Sequence, residues 1–257
     1  MTGLAAGFAG VFGLVFGSFL NVVAYRVPLG RSVVNPPSAC PACGAPVRPR
    51  DNIPVVSWLL LGGKCRDCAA PISSRYPIVE VLTGALFAAT VFVTDINWVL
   101  PAYLWFTAVT LVLILTDLDH KRIPNRILYP GTVVGVLLLA IGAVLDSQLS
   151  QFGRGALGGL LYFAGLFLLA LIARGGFGFG DVKLAFLLGL FMAFRGWEHL
   201  VVGIFLAFFI GGLISIALLV SRRRGRKDAI PFGPSLVLGA WIGIVYGLPI
   251  ADWYLGI

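Results

Sequence analysis

Long apolar runs separated by short polar segments dominate this sequence. With a window of about 20 residues, the length that an α-helix needs to cross a bilayer, the hydropathy pattern predicts eight helices. They lie near residues 4–25, 78–94, 98–116, 127–145, 155–173, 182–195, 199–220 and 233–250. The sixth is short for a full span, so we expect it to be tilted or joined to its neighbours by a tight turn. The pattern therefore predicts an all-α polytopic membrane protein with about eight transmembrane helices.

Composition supports this fold class. Charged residues are 12% and hydrophobic residues 59% of the 257 positions, whereas about a quarter of an ordinary soluble domain is charged. The mean hydropathy is +0.96. No basic segment precedes the first run and no small-residue cleavage site follows it, so we expect residues 1–25 to be a retained helix and not a removed signal peptide.

The positive charges lie almost entirely on one side of the predicted membrane threading. Of the 19 Lys and Arg, only Arg154 and Arg195 fall on the other side. The positive-inside rule places the basic side in the cytoplasm. The net charge of +8 then reflects topology and contact with anionic lipid headgroups. No nucleic-acid-binding signature accompanies it, so we expect lipid and not nucleic acid as a partner.

A polar, proline-rich segment, residues 26–77, separates the first helix from the second and holds every cysteine. It contains "CPAC" and, 21 residues later, "CRDC", which supply Cys40, Cys43, Cys65 and Cys68. Two C-x-x-C pairs are typical of a structural zinc ribbon, whose four thiolates leave no open coordination position for catalysis. The alternatives are two disulfides or four unpaired thiols, but disulfides do not persist in the reducing cytoplasm.

The acids at the cytoplasmic ends of helices are therefore the candidate catalytic residues. The two histidines, His120 and His199, are predicted on opposite sides of the membrane and cannot share a site. Four acids remain at the cytoplasmic rim: Glu80, Asp117, Asp119 and Asp181. Asp117 and Asp119 are two residues apart, so they point to different faces of a helix and at most one faces a given partner.

Two of these acids from different segments are expected to meet. "TDLDHKRIPN" (116–125) follows the third helix, and Asp181 follows the glycines of "GFGFGD" at the same membrane level. Two carboxylates a few Å apart cannot both ionise, so one activates water while the other supports a carbonyl oxygen. Gly178 and Gly180 would let an extended substrate backbone approach closely. Acids beside Lys and Arg at helix ends are also common as interfacial anchors or solvated ion pairs, and that alternative stays open.

Several motifs together resemble one family. "GFGFGD" matches the GxGD signature of membrane aspartyl peptidases, and "D…IPN" resembles the partner motif of type IV prepilin peptidases. The resemblance to bacterial prepilin leader peptidases/N-methyltransferases runs along the whole chain, through these further segments: "GSFLNVVAYRVP" (17–28), "NIPVVSWLLLGGKCRDC" (52–68), "ISSRYPIVEVLTG" (72–84) and "IPFGPSLVLGA" (230–240).

The resemblance implies specific roles. Such enzymes cleave the basic leader of type IV prepilins or pseudopilins at the cytoplasmic face of the bacterial inner membrane, and most then methylate the new amine with S-adenosylmethionine. It implies Asp117 and Asp181 as the catalytic pair, Asp119 as the less favoured neighbour, and Lys183 as a positioning or charge-balancing residue. It also associates residues 26–77 with methylation, names Glu80 as a candidate there, and leaves residues 78–257 as the peptidase domain.

Two other classes of function compete with this interpretation. A transporter or proton-coupled channel also carries membrane acids beside broken helices, although here the acids cluster at one face and none lies near the middle of a span. A membrane scaffold whose zinc ribbon recruits a cytosolic partner would tolerate aspartate substitutions and fail without the cysteines.

Overall fold

The computed structural model describes residues 1–172, 178–221 and 231–256. Nine α-helices are present in these ranges. They are α1 (Thr2–Arg26), α2 (Val56–Leu60), α3 (Arg75–Thr94), α4 (Leu100–His120), α5 (Asn125–Leu145), α6 (Leu149–Ile172), α7 (Phe179–Arg195), α8 (Trp197–Val220) and α9 (Gly233–Leu255). The described ranges contain no β-strand beyond two isolated bridges inside the polar insert. The all-α class predicted from hydropathy is confirmed.

Each of the eight predicted membrane helices corresponds to one long helix of the structure. Seven have the length and apolar composition to cross a membrane. The predicted sixth helix is α7, which has 17 residues and is almost wholly buried from Val182 to Phe194. It is apolar because other helices surround it, and a buried helix need not carry a lipid-facing stripe.

Helices α6 and α7 pack closely enough that several positions admit only glycine. A Cβ at Gly159 would lie 2.8 Å from the Phe186 carbonyl oxygen, and one at Gly189 would lie 2.8 Å from the Gly158 carbonyl oxygen. Small residues allow this approach in membrane bundles. Helix α7 also contacts α5, α8 and α9, and Tyr103 of α4 donates a hydrogen bond to the Phe191 carbonyl at 3.0 Å. This hydrogen bond fixes the end of α7 beside the start of α4.

The helix bounds differ from the prediction mainly at polar ends. Helix α4 continues to His120, four residues beyond its predicted end, and α7 begins at Phe179, three residues before its predicted start. Asp117 and Asp181 are consequently helical residues and not loop residues. The predicted basic segment 221–232 and the glycines before Gly178 lie largely outside the described residues, which omit 173–177 and 222–230.

Candidate active site and metal centre

Asp117 lies in the last turns of α4 and is only 5% exposed. Its Oδ2 accepts a hydrogen bond from the Gly233 backbone N–H at 3.0 Å. Gly233 is the first residue of α9, so the carboxylate faces a helix N-terminus, where the peptide dipoles favour negative charge. The "TDLDH" stretch is polar, so hydropathy gave no sign that the helix would reach beyond residue 116.

Asp119 points elsewhere, as its spacing from Asp117 predicts. Both of its oxygens accept hydrogen bonds from Arg75, Oδ1 from Nη1 at 2.8 Å and Oδ2 from Nη2 at 2.6 Å. This bidentate pair joins the start of α3 to the end of α4 and is partly exposed. Among the described contacts, Asp119 therefore forms an ion pair, whereas Asp117 accepts a hydrogen bond from a backbone N–H.

Asp181 occupies the first turn of α7 and is 9% exposed. Its backbone N–H donates to the Gly178 carbonyl at 3.0 Å. A Cβ at Gly178 would lie 3.1 Å from Asp181 Oδ2, so this glycine leaves room for the carboxylate to fold back over the helix start. Asp181, like Asp117, lies against a helix N-terminus.

The structure brings the two predicted aspartates to one place. Asp117 accepts a hydrogen bond from Gly233, Asp181 follows Gly180, and both glycines pack around Ile123. Ile123, from the "IPN" turn, packs between the starts of α7 and α9: a Cβ at Gly180 would lie 2.9 Å from Ile123 Cβ, and one at Gly233 would lie 3.5 Å from Ile123 Cδ1. Gly180 thus has a packing reason to be glycine, in addition to the substrate approach expected from the sequence.

Lys183 lies two residues after Asp181 on α7 and is held by α5. Its Nζ donates to Asn125 Oδ1 at 3.1 Å. It also lies 4.7 Å from the centre of the Phe179 ring and 5.2 Å from that of Tyr129, within the range of cation–π attraction. The lysine therefore fixes the start of α7 against the start of α5.

Sequence reasoning missed Gly233 as a site residue. The signal was available in "IPFGP", where a glycine before a proline marks a helix start with an open backbone N–H. A Cβ at this position would lie 2.8 Å from Asp117 Oδ2. Any side chain there displaces the carboxylate.

We expect Gly233→Ala to lower peptidase activity by about a hundredfold, because a shift of roughly 1 Å in a reacting group costs about that much. The measurement is the initial rate of leader cleavage by the purified variant. Gly212→Ala is the matched control, since a Cβ at Gly212 meets nothing within 4 Å. Equal rates for the two variants would contradict the positioning role of Gly233.

The four cysteines of the insert converge on one point. Their Sγ atoms all lie within 4.8 Å of one another, and Cys40 Sγ lies 3.8 Å from Cys68 Sγ. A tetrahedral zinc site with Zn–S bonds of about 2.3 Å has sulfur–sulfur edges of about 3.8 Å. The donor set and its geometry fit zinc, and none of the four cysteines is in a disulfide.

The two C-x-x-C segments have matching backbones. Cys40 N–H donates to the Ala45 carbonyl at 2.9 Å, and Cys65 N–H donates to the Ala70 carbonyl at 2.8 Å. Ion pairs join the second segment to residues between the two: Arg66 donates to both oxygens of Asp51, and Arg48 donates to Asp67. The Arg66 guanidinium holds the pKa of the Asp51 carboxyl below its usual range. These contacts bring the two cysteine pairs together.

Glu80 links the insert to the helix bundle. It is 6% exposed on α3, and its Oε2 accepts the Val55 backbone N–H at 2.7 Å. Val55 has φ +62°, a strained conformation for a β-branched residue. The Val56 N–H donates to the Pro54 carbonyl at 2.6 Å, which closes a γ-turn around it. The bond to Glu80 helps to hold this turn.

The histidines remain apart. His199 lies near the start of α8 and is buried, with Nδ1 2.8 Å from the Gly243 carbonyl oxygen. His120 ends α4, beside the aspartates. Because α7 runs from the aspartates to the start of α8, these histidines are at opposite ends of the bundle, as the sequence predicts.

Comparison with known proteins decides the family. Residues 11–94 match the Bacterial Peptidase A24 N-terminal domain, and residues 104–216 match the Type IV leader peptidase family. The chain belongs to this family of membrane peptidases. The resemblance that the motifs suggested is confirmed.

Full-length relatives agree with this assignment. Proteins named prepilin leader peptidase/N-methyltransferase are 35% identical in Aeromonas hydrophila and 36% identical in Pseudomonas aeruginosa. The alignments cover 95% of this chain and 92% and 91% of those proteins. The relative in Bacillus subtilis, with the same name, is 33% identical over 95% of this chain and 96% of its own. No solved structure matches the chain at a significant level. Nothing in these comparisons supports the transporter alternative.

Proposed function

We propose that this type IV leader peptidase family member cleaves the basic leader of type IV prepilins or pseudopilins and then methylates the new N-terminal amine. Its place is the bacterial inner membrane, with the aspartates and the insert on the cytoplasmic side, where the positive-inside rule places the basic loops. One observation supports the peptidase half: two buried aspartates from separate helices, Asp117 and Asp181, lie at the same end of the bundle, each beside a glycine that packs against Ile123.

The proposed cleavage uses the two carboxylates with one proton between them. The ionised member takes a proton from water, and that water attacks the scissile carbonyl carbon. The protonated member donates to the carbonyl oxygen as the tetrahedral intermediate forms. When the C–N bond breaks, a carboxyl proton passes to the leaving nitrogen. The Gly233 N–H, bound to Asp117 Oδ2, fixes one oxygen and leaves the other to face the water.

Substrate positioning is assigned to Gly178, Gly180 and Lys183. Gly178 gives Asp181 its space, and Gly180 lets α7 lie against Ile123. Lys183 holds the start of α7 through Asn125. A prepilin with a basic leader ahead of an apolar helix can enter laterally from the lipid, and its scissile bond then arrives beside an acidic pair.

The insert, residues 26–77, is proposed to serve methylation, while residues 1–25 form the first transmembrane helix and residues 78–257 the peptidase domain. Zinc held by Cys40, Cys43, Cys65 and Cys68 folds the insert and takes no part in chemistry, since four thiolates fill a tetrahedral site. S-adenosylmethionine supplies an electrophilic methyl group to the new amine.

Glu80 is the residue of this chain proposed to act in the methylation half. Its Oε2 is bound to the Val55 N–H, and a buried carboxylate suits a positively charged sulfonium or a ribose hydroxyl. Because the same carboxylate holds the insert on α3, folding of the insert and formation of the methyl-donor site are coupled.

Glu80→Gln is expected to lower N-methylation by about tenfold or more while leader cleavage keeps its rate. The amide keeps an acceptor for the Val55 N–H but removes the charge, and a hydrogen bond to a charged group is worth about 1.5–3 kcal/mol. The measurement is methyl incorporation into a peptide with a free mature N-terminus. Asp119→Asn is the control. Equal methylation in the two variants would contradict a role for the Glu80 charge.

The experiment that tests the whole function is incubation of a type IV prepilin with the detergent-purified protein, followed by mass spectrometry of the product. The proposal predicts loss of the leader without methyl donor, and loss of the leader plus one methyl group with S-adenosylmethionine. An intact prepilin after incubation with folded protein would contradict it.

A further inference from the structure

A polar cavity of about 220 Å³ lies at the end of the bundle opposite the aspartates. The starts of α4 and α6 and the end of α7 form its walls, whereas Asp117 and Asp181 lie at the other ends of α4 and α7. The cavity therefore has no part in peptide cleavage. It is also too far from the insert to serve methylation.

Two arginines line this cavity. They are Arg154 and Arg195, the two basic residues predicted on the opposite side of the membrane from all other Lys and Arg. None of the described residues that line the cavity is acidic, and within the described ranges neither arginine forms a salt bridge with a carboxylate. Arginines at helix ends often only extend to the membrane surface, but here both line the same cavity.

Arg154 is fixed in place. Its Nε donates to the Ala193 carbonyl at 2.7 Å and its Nη2 to the Phe194 carbonyl at 2.8 Å, which neutralises the negative end of the α7 dipole. A guanidinium has five N–H donors. The bonds to α7 use Nε and Nη2 and leave the Nη1 N–H groups of Arg154 for a ligand. They also fix the orientation of the guanidinium.

We propose that this cavity binds a phosphate ester. The arginines bind the phosphate oxygens, a pairing that guanidinium geometry favours. Gln148 and Gln151 supply further amide donors from the wall. The cavity is below the range of about 300–1,000 Å³ of drug-sized sites, so it accommodates a headgroup while acyl chains lie along the helices outside.

The test uses the full-length protein, delipidated in detergent and examined by native mass spectrometry. Three probes are added separately: phosphatidylglycerol, a diacylglycerol without phosphate, and glycerol 3-phosphate. Arg195→Gln is the variant of choice. Arg154 donates hydrogen bonds to the last carbonyls of α7, so its loss could disturb the helix end, whereas no such bond is present for Arg195 among the described contacts. Arg31→Gln, an exposed change in the insert, is the matched control.

The proposal predicts that phosphatidylglycerol binds, that diacylglycerol does not, and that Arg195→Gln weakens binding by about tenfold, as expected for loss of a charged hydrogen bond. Arg31→Gln should bind as the unsubstituted protein does. Binding of glycerol 3-phosphate with the same dependence on Arg195 would support the phosphate site and assign it to a soluble ester. Lipid binding that is equal in the two variants would overturn the proposal, as would equal binding of diacylglycerol.

Discussion

Asp117→Asn and Asp181→Asn are each expected to lower the rate of leader cleavage by a factor of about 10² to 10⁴, the usual contribution of a general acid or base. Asparagine keeps the size of the side chain and still accepts the Gly233 N–H bond to position 117. It cannot take or give the proton that the proposed mechanism moves. The measurement is the cleavage rate of a prepilin in detergent, with product masses determined by mass spectrometry.

Asp119→Asn is the matched control for both variants. It lies on the same helix turn as Asp117, but its carboxylate is paired with Arg75 at the partly exposed edge. An ion pair of this kind contributes about 1 kcal/mol or less to stability, so its loss should leave most of the cleavage rate. A large loss in Asp119→Asn with full activity in Asp117→Asn would mean that the wrong acid of the "DLD" motif has been assigned.

The two aspartate variants should also separate the two activities. Neither residue contacts Glu80 or the insert in the described structure, so methylation of a peptide with a free mature N-terminus should continue in Asp117→Asn. Loss of both activities in that variant, with the protein folded and metal-loaded, would contradict the division between a peptidase domain and a methylation half.

Cys65→Ser is expected to remove the bound zinc and abolish N-methylation while leader cleavage persists. A structural zinc site supplies folding free energy, and the loop it organises does not fold without it. The insert is held by the four cysteines, the Asp51–Arg66 pair and the Glu80–Val55 bond, whereas the aspartates are held by α4, α7 and α9. The measurements are zinc per protein by elemental analysis and the rates of both reactions.

Arg31→Gln provides a control inside the insert. Arg31 is exposed and is not one of the four thiolate residues, so this change should keep the zinc and leave the insert folded. If Cys65→Ser kept one zinc per protein, the four-thiolate site would be wrong. If it lost cleavage as fully as methylation, the insert would be required for the peptidase fold.

The sequence predicted the membrane helices well because lipid imposes a simple rule: about 20 apolar residues per span. It predicted their polar ends less well. Helix α4 passes Asp117 to end at His120 because Lys121 adopts a left-handed conformation, φ +52°, and closes the helix with a bond to the Asp117 carbonyl. Such a cap depends on the following turn and leaves no trace in hydropathy.

The meeting of Asp117 and Asp181 could be expected only as one possibility among several acids at the same membrane level. What selects the pair is packing between distant parts of the chain. Ile123 packs against Gly180 and Gly233, and Arg75 forms an ion pair with Asp119. The support of Asp117 by Gly233 comes from a residue 116 positions away, and no local pattern around Asp117 contains that information.

The most direct test of the central claim is a double-mutant cycle in single-turnover cleavage, with Asp117→Asn, Asp181→Asn and the combined variant. Residues that act as one catalytic unit are strongly non-additive, so that a second loss costs little once the first is made. The account predicts that the double variant cleaves no more slowly than the slower single variant. If the rate of the double variant instead fell by the product of the two single-variant factors, the aspartates would act independently. That result would contradict the shared-proton pair.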